Sequence, residues 1–229
     1  LPQLFEKNNF SILPKTRGTY IISNFEAYAK LPKPKIEIEK VSFPDYIYSL
    51  DYENITSESA AINCAYVSGI FNDFLREKQI FPTVDGRMGS GIFNFSIKKL
   101  VNNEKINITV ENSQIEIDGG YEGLDSLTLI EAKNSLSDDF LIRQLYYPYR
   151  LWNNNIGNHK PVRPIFMIYS NGIFTLYEYK FENPKDYNSL ILVKQKNYSI
   201  EPEEIVFDDI YFIYKNIKLN EEPWGIPFP

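Results

Sequence analysis

The sequence of 229 residues contains one cysteine, one histidine and no apolar run of the roughly 18–20 residues that a membrane-spanning helix needs. A single cysteine excludes an intramolecular disulfide and fits a reducing compartment. The scarcity of both residue types also excludes zinc fingers, HExxH metalloproteases and paired-histidine nucleases. Any bound metal should therefore be a hard cation held by carboxylates. The sequence shows no signal-peptide pattern, so we expect a cytoplasmic protein with no membrane partner.

Apolar residues make up 43% of the chain and aromatic residues 15%. This content is enough to offset chain entropy, so it predicts a folded protein and excludes intrinsic disorder. The formal net charge is −6, unlike the basic footprint of most nucleic-acid-binding proteins. However, residues 201–229 carry seven acidic and two basic residues and so account for −5 of it. The first 200 residues are nearly neutral, and their charge neither favours nor excludes a nucleic-acid partner.

Proline content separates the beginning of the chain from the rest. Residues 1–50 contain five prolines between short apolar runs and are predicted to form an N-terminal arm or small subdomain. Residues 51–200 alternate between helical and strand patterns, as expected of a single core domain. Residues 201–229 form an acidic segment that we expect to lead into a further domain outside this chain.

The patterns in the core predict an α/β (mixed α+β) domain with a central mixed sheet. Helices are predicted over 57–76 and over 138–152, the second with a kink at Pro148. A turn-rich segment is predicted over 84–91, and a last helix over 203–214. The predicted strands cover residues 18–23, 92–97, 106–118, 127–133, 164–170, 173–180 and 190–195. Two of these strands flank the dipeptide Asn-Gly, which predicts a hairpin.

The chemically informative stretch runs from Asp118-Gly-Gly to Glu131-Ala-Lys133. Asp118 is predicted to end one apolar strand, and the next strand carries Glu131 and Lys133 on one face with Ala132 towards the core. If the two strands are neighbours, Asp118 reaches the same place. The two carboxylates and the Ala132 carbonyl would then form an all-oxygen Mg²⁺ site beside an ammonium group.

Phosphodiester hydrolysis needs these groups, because a divalent cation neutralises the phosphate and activates water while a lysine orients it or stabilises charge. The alternative interpretation of Glu131 and Lys133 is a surface ion pair beside a turn. Glu116, on the same face as Asp118, and the nearby Glu122 remain alternative metal ligands.

A second Glu-x-Lys sequence, Glu178-Tyr-Lys180, serves as an internal comparison. No acidic residue lies between Asp139 and Glu178, so this copy lacks a preceding partner carboxylate. We therefore predict that Glu178 and Lys180 form an outward-facing polar pair on the hairpin.

The combination of Asp118 and Glu131-Ala-Lys133 with the order helix, three strands, helix, strand resembles the PD-(D/E)XK nuclease superfamily over residues 55–170. Ile117 stands where the family name has proline. The resemblance implies a restriction-endonuclease-like core in αβββαβ order. Within the superfamily, the sequence most resembles type II restriction enzymes.

The resemblance also implies supporting residues. Glu58, at the start of the first predicted helix, matches the place of a glutamate that supports the metal; it could equally be an acid favoured by the helix dipole. Gln144, on the second predicted helix, matches a glutamine that reaches the site, although a polar residue on a half-exposed face would look the same. Arg87 and Ser90 in the glycine-rich segment, and Arg143 on the helix, are candidate DNA contacts.

The expected function is that of a Mg²⁺-dependent endonuclease, with Mn²⁺ as a substitute, that cuts double-stranded DNA at specific sites in a defence system. Cutting both strands requires two copies of the site or two successive nicks, so a homodimer is one expected assembly. A cognate DNA methyltransferase is the other expected partner. The alternatives are a repair or junction-processing nuclease of the same fold and a non-catalytic, nuclease-like DNA-binding module.

Overall fold

The structure is a computed structural model that describes residues 3–33 and 35–201. The predicted helix over 203–214 lies outside the described residues. The helices are α1 (Gln3–Lys7), α2 (Glu58–Val67), α3 (Ile70–Leu75) and α4 (Arg143–Ile156). The strands are β1 (Ser11–Pro14), β2 (Tyr20–Ser23), β3 (Tyr28–Lys30), β4 (Ile38–Ser42), β5 (Ile80–Gly89), β6 (Ile92–Lys98), β7 (Lys105–Glu111), β8 (Gln114–Gly123), β9 (Leu127–Lys133), β10 (Asp139–Leu141), β11 (Val162–Ser170), β12 (Ile173–Phe181) and β13 (Leu190–Glu201). None of these helices is long and apolar enough to cross a membrane.

A seven-stranded mixed sheet with the order β4-β13-β12-β11-β9-β8-β5 is the centre of the fold. Strands β5, β8 and β9 pair antiparallel, whereas β9 pairs parallel with β11. A parallel pair needs a crossover connection, and α4 lies in the segment that provides it. The expectation of a mixed α/β fold with a central sheet is confirmed.

Strand β9 is buried on both faces because helices cover both sides of the sheet. Ile130 and Ala132 belong to the apolar cluster that includes α2 and α3. Leu127 and Leu129 belong to the second cluster, which includes the aromatic residues of α4. Burial on both faces explains why the sequence of this strand is almost continuously apolar.

Strands β6 and β7 form a separate two-stranded sheet, inserted between the paired strands β5 and β8. Their inner face packs Phe93 and Phe95 against Tyr146 and Tyr147 of α4, with ring centroids 5.2–6.3 Å apart. The hairpin therefore covers α4 and helps to fix its position over the sheet.

The first 50 residues contribute directly to the core. Strand β4 pairs parallel with β13 at one edge of the central sheet, and β3 pairs with β10. Phe25 and Ala27 are buried in the cluster that contains α4. These contacts place the segment on the body of the fold, and its assignment as an arm or small subdomain stays a prediction.

Several predicted elements differ from the observed ones for local reasons. The helix predicted over 57–76 is two helices, because Gly69 adopts a left-handed conformation with φ 77°. The segment predicted as a turn over 84–91 is mostly strand β5, whose pairing with β8 is irregular around Gly86. The strand predicted over 106–118 is interrupted at Asn112, which has φ 51° and separates β7 from β8.

The predicted start of the second long helix, at residue 138, is also wrong. Residues 139–141 form β10, which pairs with β3 more than 100 positions away in the chain. The helix α4 therefore begins at Arg143, and Pro148 lies inside it. In contrast, the strand over 127–133 and the hairpin across Asn171 and Gly172 are confirmed.

Candidate active site

The candidate site forms where β8 and β9 separate. Their pairing begins at Glu122 opposite Leu127 and ends at Gly119 opposite Ile130. Beyond this point β8 continues its pairing with β5, and the Asp118 carboxylate takes over the contact with β9. Asp118 Oδ2 accepts a hydrogen bond from the Ala132 main-chain N–H at 2.9 Å. The two strands thus open into a cavity at the end of β9.

The prediction that Asp118 ends its strand is wrong, because β8 continues through Gly119 and Gly120 to Gly123. Glycine is required at 120, since a Cβ there would lie 2.7 Å from both the Cβ and the carbonyl oxygen of Val84 on β5. Gly120 therefore permits close packing of β5 against β8, whereas a Cβ at Gly119 would lie 3.3 Å from Ile62 of α2. The turn lies further along the chain.

The cavity has a volume of about 260 Å³ and is strongly polar. It brings together most of the residues that the sequence singled out, although they come from four separate elements. Its lining consists of Glu58, Ile115, Glu116, Asp118, Glu131, Lys133, Arg143, Gln144 and Pro148.

Lys133 holds the centre of this arrangement. Its Nζ donates to Glu131 Oε1 at 2.6 Å and to the Ala132 carbonyl at 2.8 Å, and lies 3.6 Å from Glu58 Oε1. Burial opposes the charge on Lys133, but the surrounding carboxylates, Glu131 first, raise its pKa above the usual value. The ammonium is therefore firmly protonated.

Glu131 is buried and accepts a second hydrogen bond, from Gln144 Nε2 of α4, on the same Oε1 atom. Burial raises the pKa of Glu131 to about 7, and the neighbouring Asp118 adds to this effect while Lys133 opposes it. A carboxyl group that titrates near neutral pH in a polar cavity is typical of functional sites.

The donor set fits a hard divalent cation. Asp118, Glu131 and the Ala132 carbonyl offer oxygen atoms at one place, and Glu58 lies next to them across Lys133. Oxygen ligands of this kind suit Mg²⁺. Within the described residues, no three side chains among His, Cys, Asp and Glu form a cluster that could hold a metal ion.

The two alternative acids occupy different places. Glu116 lines the same cavity, but it is largely exposed and its Oε1 lies 3.3 Å from Arg87 Nε across the β5–β8 pair. Glu122 lies at the other end of β8 and pairs with Lys160 at 2.9 Å. Of the two, only Glu116 is placed to assist Asp118.

The three candidate DNA-contacting residues also differ in their positions relative to the cavity. Arg143 lines the cavity, and Arg87 is exposed on β5 beside it. Ser90, by contrast, is only 1% exposed, and its hydroxyl donates to the Gly91 carbonyl. Ser90 is therefore unsuited to contact DNA in this conformation, because the tight turn into β6 buries it.

The second Glu-x-Lys sequence is built differently from the prediction. Glu178 is buried and receives two hydrogen bonds from Arg163, at 2.7 and 2.9 Å, with Lys194 3.4 Å away. Lys180 is exposed. The prediction of an outward-facing pair is thus wrong for Glu178, because two cations on neighbouring strands β11 and β13 compensate its buried charge.

Comparison with known protein families gives a match over most of the chain. The family described as Domain of unknown function (DUF6997) matches residues 23–199. No curated protein and no solved structure matches the chain. The matched range contains every residue of the cavity.

Proposed function

The chain belongs to the DUF6997 family, and we propose that it is a Mg²⁺-dependent endonuclease acting on double-stranded DNA in the manner of a type II restriction enzyme. The observation that carries the proposal is the convergence of Asp118, Glu131 and Lys133 in one polar cavity, at the point where two antiparallel strands separate. Gln144 from the following helix hydrogen bonds to Glu131 in the same cavity.

The order of the elements supports the same proposal. Helix α2 precedes the antiparallel strands β5, β8 and β9, and α4 then leads to β11, which is parallel to β9. With the β6–β7 hairpin regarded as an insertion, this order resembles the αβββαβ core of the PD-(D/E)XK superfamily.

Asp118, Glu131 and the Ala132 carbonyl would hold the cation, with Glu58 as a further oxygen donor. When bound, Mg²⁺ supplies polarisation of the scissile phosphate and activation of a water molecule. Lys133 lies beside these ligands, because its Nζ donates to Glu131 Oε1 and to the Ala132 carbonyl. Its ammonium would orient the attacking water or stabilise charge that develops on the phosphate.

Gln144 and Arg143 complete the site from the N-terminal end of α4. Gln144 fixes the orientation of the Glu131 carboxylate through its hydrogen bond. The Arg143 guanidinium lines the cavity and has no carboxylate partner within 4 Å among the described residues. It is therefore suited to contact a phosphate group of the substrate.

Incubation with a mixture of plasmid and phage DNA tests this function. We expect discrete fragments in Mg²⁺ or Mn²⁺, none in EDTA, and none with Asp118→Asn in either metal. Smears in place of discrete bands would indicate a non-specific nuclease, and cleavage restricted to branched DNA would indicate a junction-processing enzyme. Cleavage in excess EDTA, or undiminished cleavage by Asp118→Asn, would overturn the assignment of the site.

A further inference from the structure

A second cavity, of about 930 Å³, lies at the opposite end of β8 and β9 from the candidate active site. Its lining includes Arg76, Lys78, Phe81, Glu122, Leu124 and Lys160. Since Leu127 and Lys133 are the two ends of β9, the two cavities are about 20 Å apart along the strand. We name this second cavity the β5–β8 cavity.

The walls of the β5–β8 cavity are fixed by buried hydrogen bonds. Glu77 is buried and accepts from Ser126 Oγ at 2.5 Å and from the Asp125 N–H at 3.3 Å, which ties the β8–β9 turn to the end of α3. The Asn72 side chain donates to the carbonyls of Glu77 and Lys78. The cavity is therefore formed in advance of any ligand, as binding sites usually are.

The charge at the cavity is suited to an anion. Arg76 and Lys78 are both exposed, and neither has a carboxylate within 4 Å among the residues that the structure describes. Two of the acids in the lining already have partners, since the buried Glu77 accepts a hydrogen bond from Ser126 and Glu122 pairs with Lys160. Asp125 is the remaining acid in the lining, so two uncommitted cations face one exposed carboxylate.

Two apolar side chains of the lining are exposed. Phe81 is 58% exposed and Leu124 is 88% exposed, and both border the same cavity. An exposed aromatic ring next to cationic side chains is the arrangement on which nucleotide bases stack while their phosphates are bound.

Arg76 is held in a backbone conformation that arginine seldom adopts. It has φ 59° and ends α3, with its N–H bonded to the Asp73 carbonyl and the next N–H bonded to the Asn72 carbonyl. Glycine is the usual residue at this place in such a helix end. An arginine in a left-handed conformation at the rim of a cavity points to a use for its side chain.

We propose that the β5–β8 cavity binds a nucleotide unit, with the phosphate on Arg76 and Lys78 and the base against Phe81. The same chemistry is offered by a free nucleotide and by one unit of a nucleic-acid strand. This binding is separate from hydrolysis, because the residues that form the cavity are distinct from those of the candidate active site.

Calorimetric titration of the whole chain in EDTA, with deoxyadenosine monophosphate and with a five-nucleotide oligodeoxyadenylate, tests the proposal. Loss of one stacked base or one bound phosphate should lower affinity by about 5- to 100-fold in Phe81→Ala and in Arg76→Gly. Arg76→Gly should not lower the Tm, since glycine fits the local conformation, and this separates binding from folding. Lys180→Ala, which removes an exposed lysine elsewhere, is the control and should bind as the unchanged protein does.

The two ligands distinguish the source of the nucleotide. Equal affinity for both indicates a free nucleotide, and binding of the oligonucleotide alone indicates a strand. Glu131→Gln should retain binding, because Glu131 does not line this cavity. Absence of cleavage by the unchanged protein, with nucleotide binding retained, would contradict only the proposed nuclease activity. Absence of binding by both ligands, unchanged affinity in Phe81→Ala and Arg76→Gly, or loss of binding in Glu131→Gln would overturn the proposal.

Discussion

Glu131 and Glu178 are both buried glutamates in a Glu-x-Lys sequence, yet their pKa values shift in opposite directions. Burial and the neighbouring Asp118 raise the pKa of Glu131 to about 7. Burial acts on Glu178 in the same sense, but the Arg163 guanidinium and Lys194 outweigh it and hold the pKa below the usual value. At Glu131 the effects of burial and of the Asp118 charge exceed that of Lys133, whereas at Glu178 the effects of two cations exceed that of burial.

Glu131→Gln should stabilise the metal-free protein at alkaline pH. The folded protein disfavours the ionised form of Glu131, so this group lowers stability as pH rises from its ordinary pKa of about 4.3 towards 7. We expect the variant to be about 1–3 kcal/mol more stable than the unchanged protein at pH 8 in EDTA, with little difference at pH 5. Urea denaturation at the two pH values measures this, and a less stable variant at pH 8 would contradict the raised pKa.

Glu178→Gln should have the opposite effect. The lowered pKa of Glu178 means that its stabilisation is present above pH about 4.3 and is lost as pH falls through the folded pKa. Removing this charge leaves Arg163 largely buried without its partner, so we expect a loss of about 3–5 kcal/mol at pH 7 and a smaller loss at pH 3. A pH series of urea denaturation midpoints checks the prediction; a pH-independent loss would show that packing alone is affected.

Lys133→Ala should lower DNA cleavage by about 10²–10⁴-fold while leaving the fold intact, because it removes a positioned proton-transfer or charge-stabilising group. Lys180→Ala is the matched control, since Lys180 is exposed in the second Glu-x-Lys sequence and is expected to have no effect. Cleavage rates on plasmid DNA in Mg²⁺ measure both variants. Equal losses at the two lysines would place the active site elsewhere.

At the scale of the elements, the position of β8 depends on close contact with β5. Gly120→Ala would place a Cβ against the Val84 side chain and main chain. We expect a loss of about 2–3 kcal/mol in the free energy of unfolding, as for other overpacked sites. Gly18→Ala, where nothing lies within 4 Å of the added Cβ, is the control in the same denaturation experiment. Equal stability of the two variants would contradict the tight β5–β8 packing.

Strands with a continuous apolar pattern or a clear turn signal could be predicted from the sequence. The strand over 127–133 and the Asn-Gly hairpin are examples, because their local patterns agree with their tertiary surroundings. The start of α4 could not be predicted, because the competing strand β10 exists only through its distant partner β3. The continuation of β8 through Gly119 and Gly120 could not be predicted either, because the neighbours that leave no room for a side chain there, Ile62 of α2 and Val84 of β5, are brought close only by the fold.

At the scale of the whole molecule, the central sheet brings residues that are distant in the sequence close together in space. Asp118 and Glu131 could be paired from the sequence, because the short connection between two strands makes them antiparallel neighbours. Glu58 and Gln144 were placed through the family resemblance, and both line the cavity. The β5–β8 cavity could not be anticipated, because Arg76, Phe81 and Leu124 come from three segments and form no sequence pattern.

A bound cation should stabilise the entire fold, since a ligand that binds only the folded protein raises its free energy of unfolding. We expect Ca²⁺ to raise the Tm without supporting cleavage, because its coordination shell is looser than that of Mg²⁺. Asp118→Asn should abolish the rise. Glu122→Gln should retain it, since this acid lies in the other cavity, and differential scanning calorimetry with and without Ca²⁺ compares them. A rise that persists in Asp118→Asn would locate the cation elsewhere.

The hydrogen bond from the Ala132 N–H to Asp118 Oδ2 makes one main-chain amide a reporter of the carboxylate. The shielding of an amide nitrogen and proton depends on the charge of the acceptor. The Ala132 resonance in a nuclear magnetic resonance spectrum should therefore move when Asp118 binds a cation. Because Ala132 is buried within β9, its resonance would keep the position of the folded protein only while the central sheet stays folded. A single peak therefore reports on both the site and the sheet on which it is built.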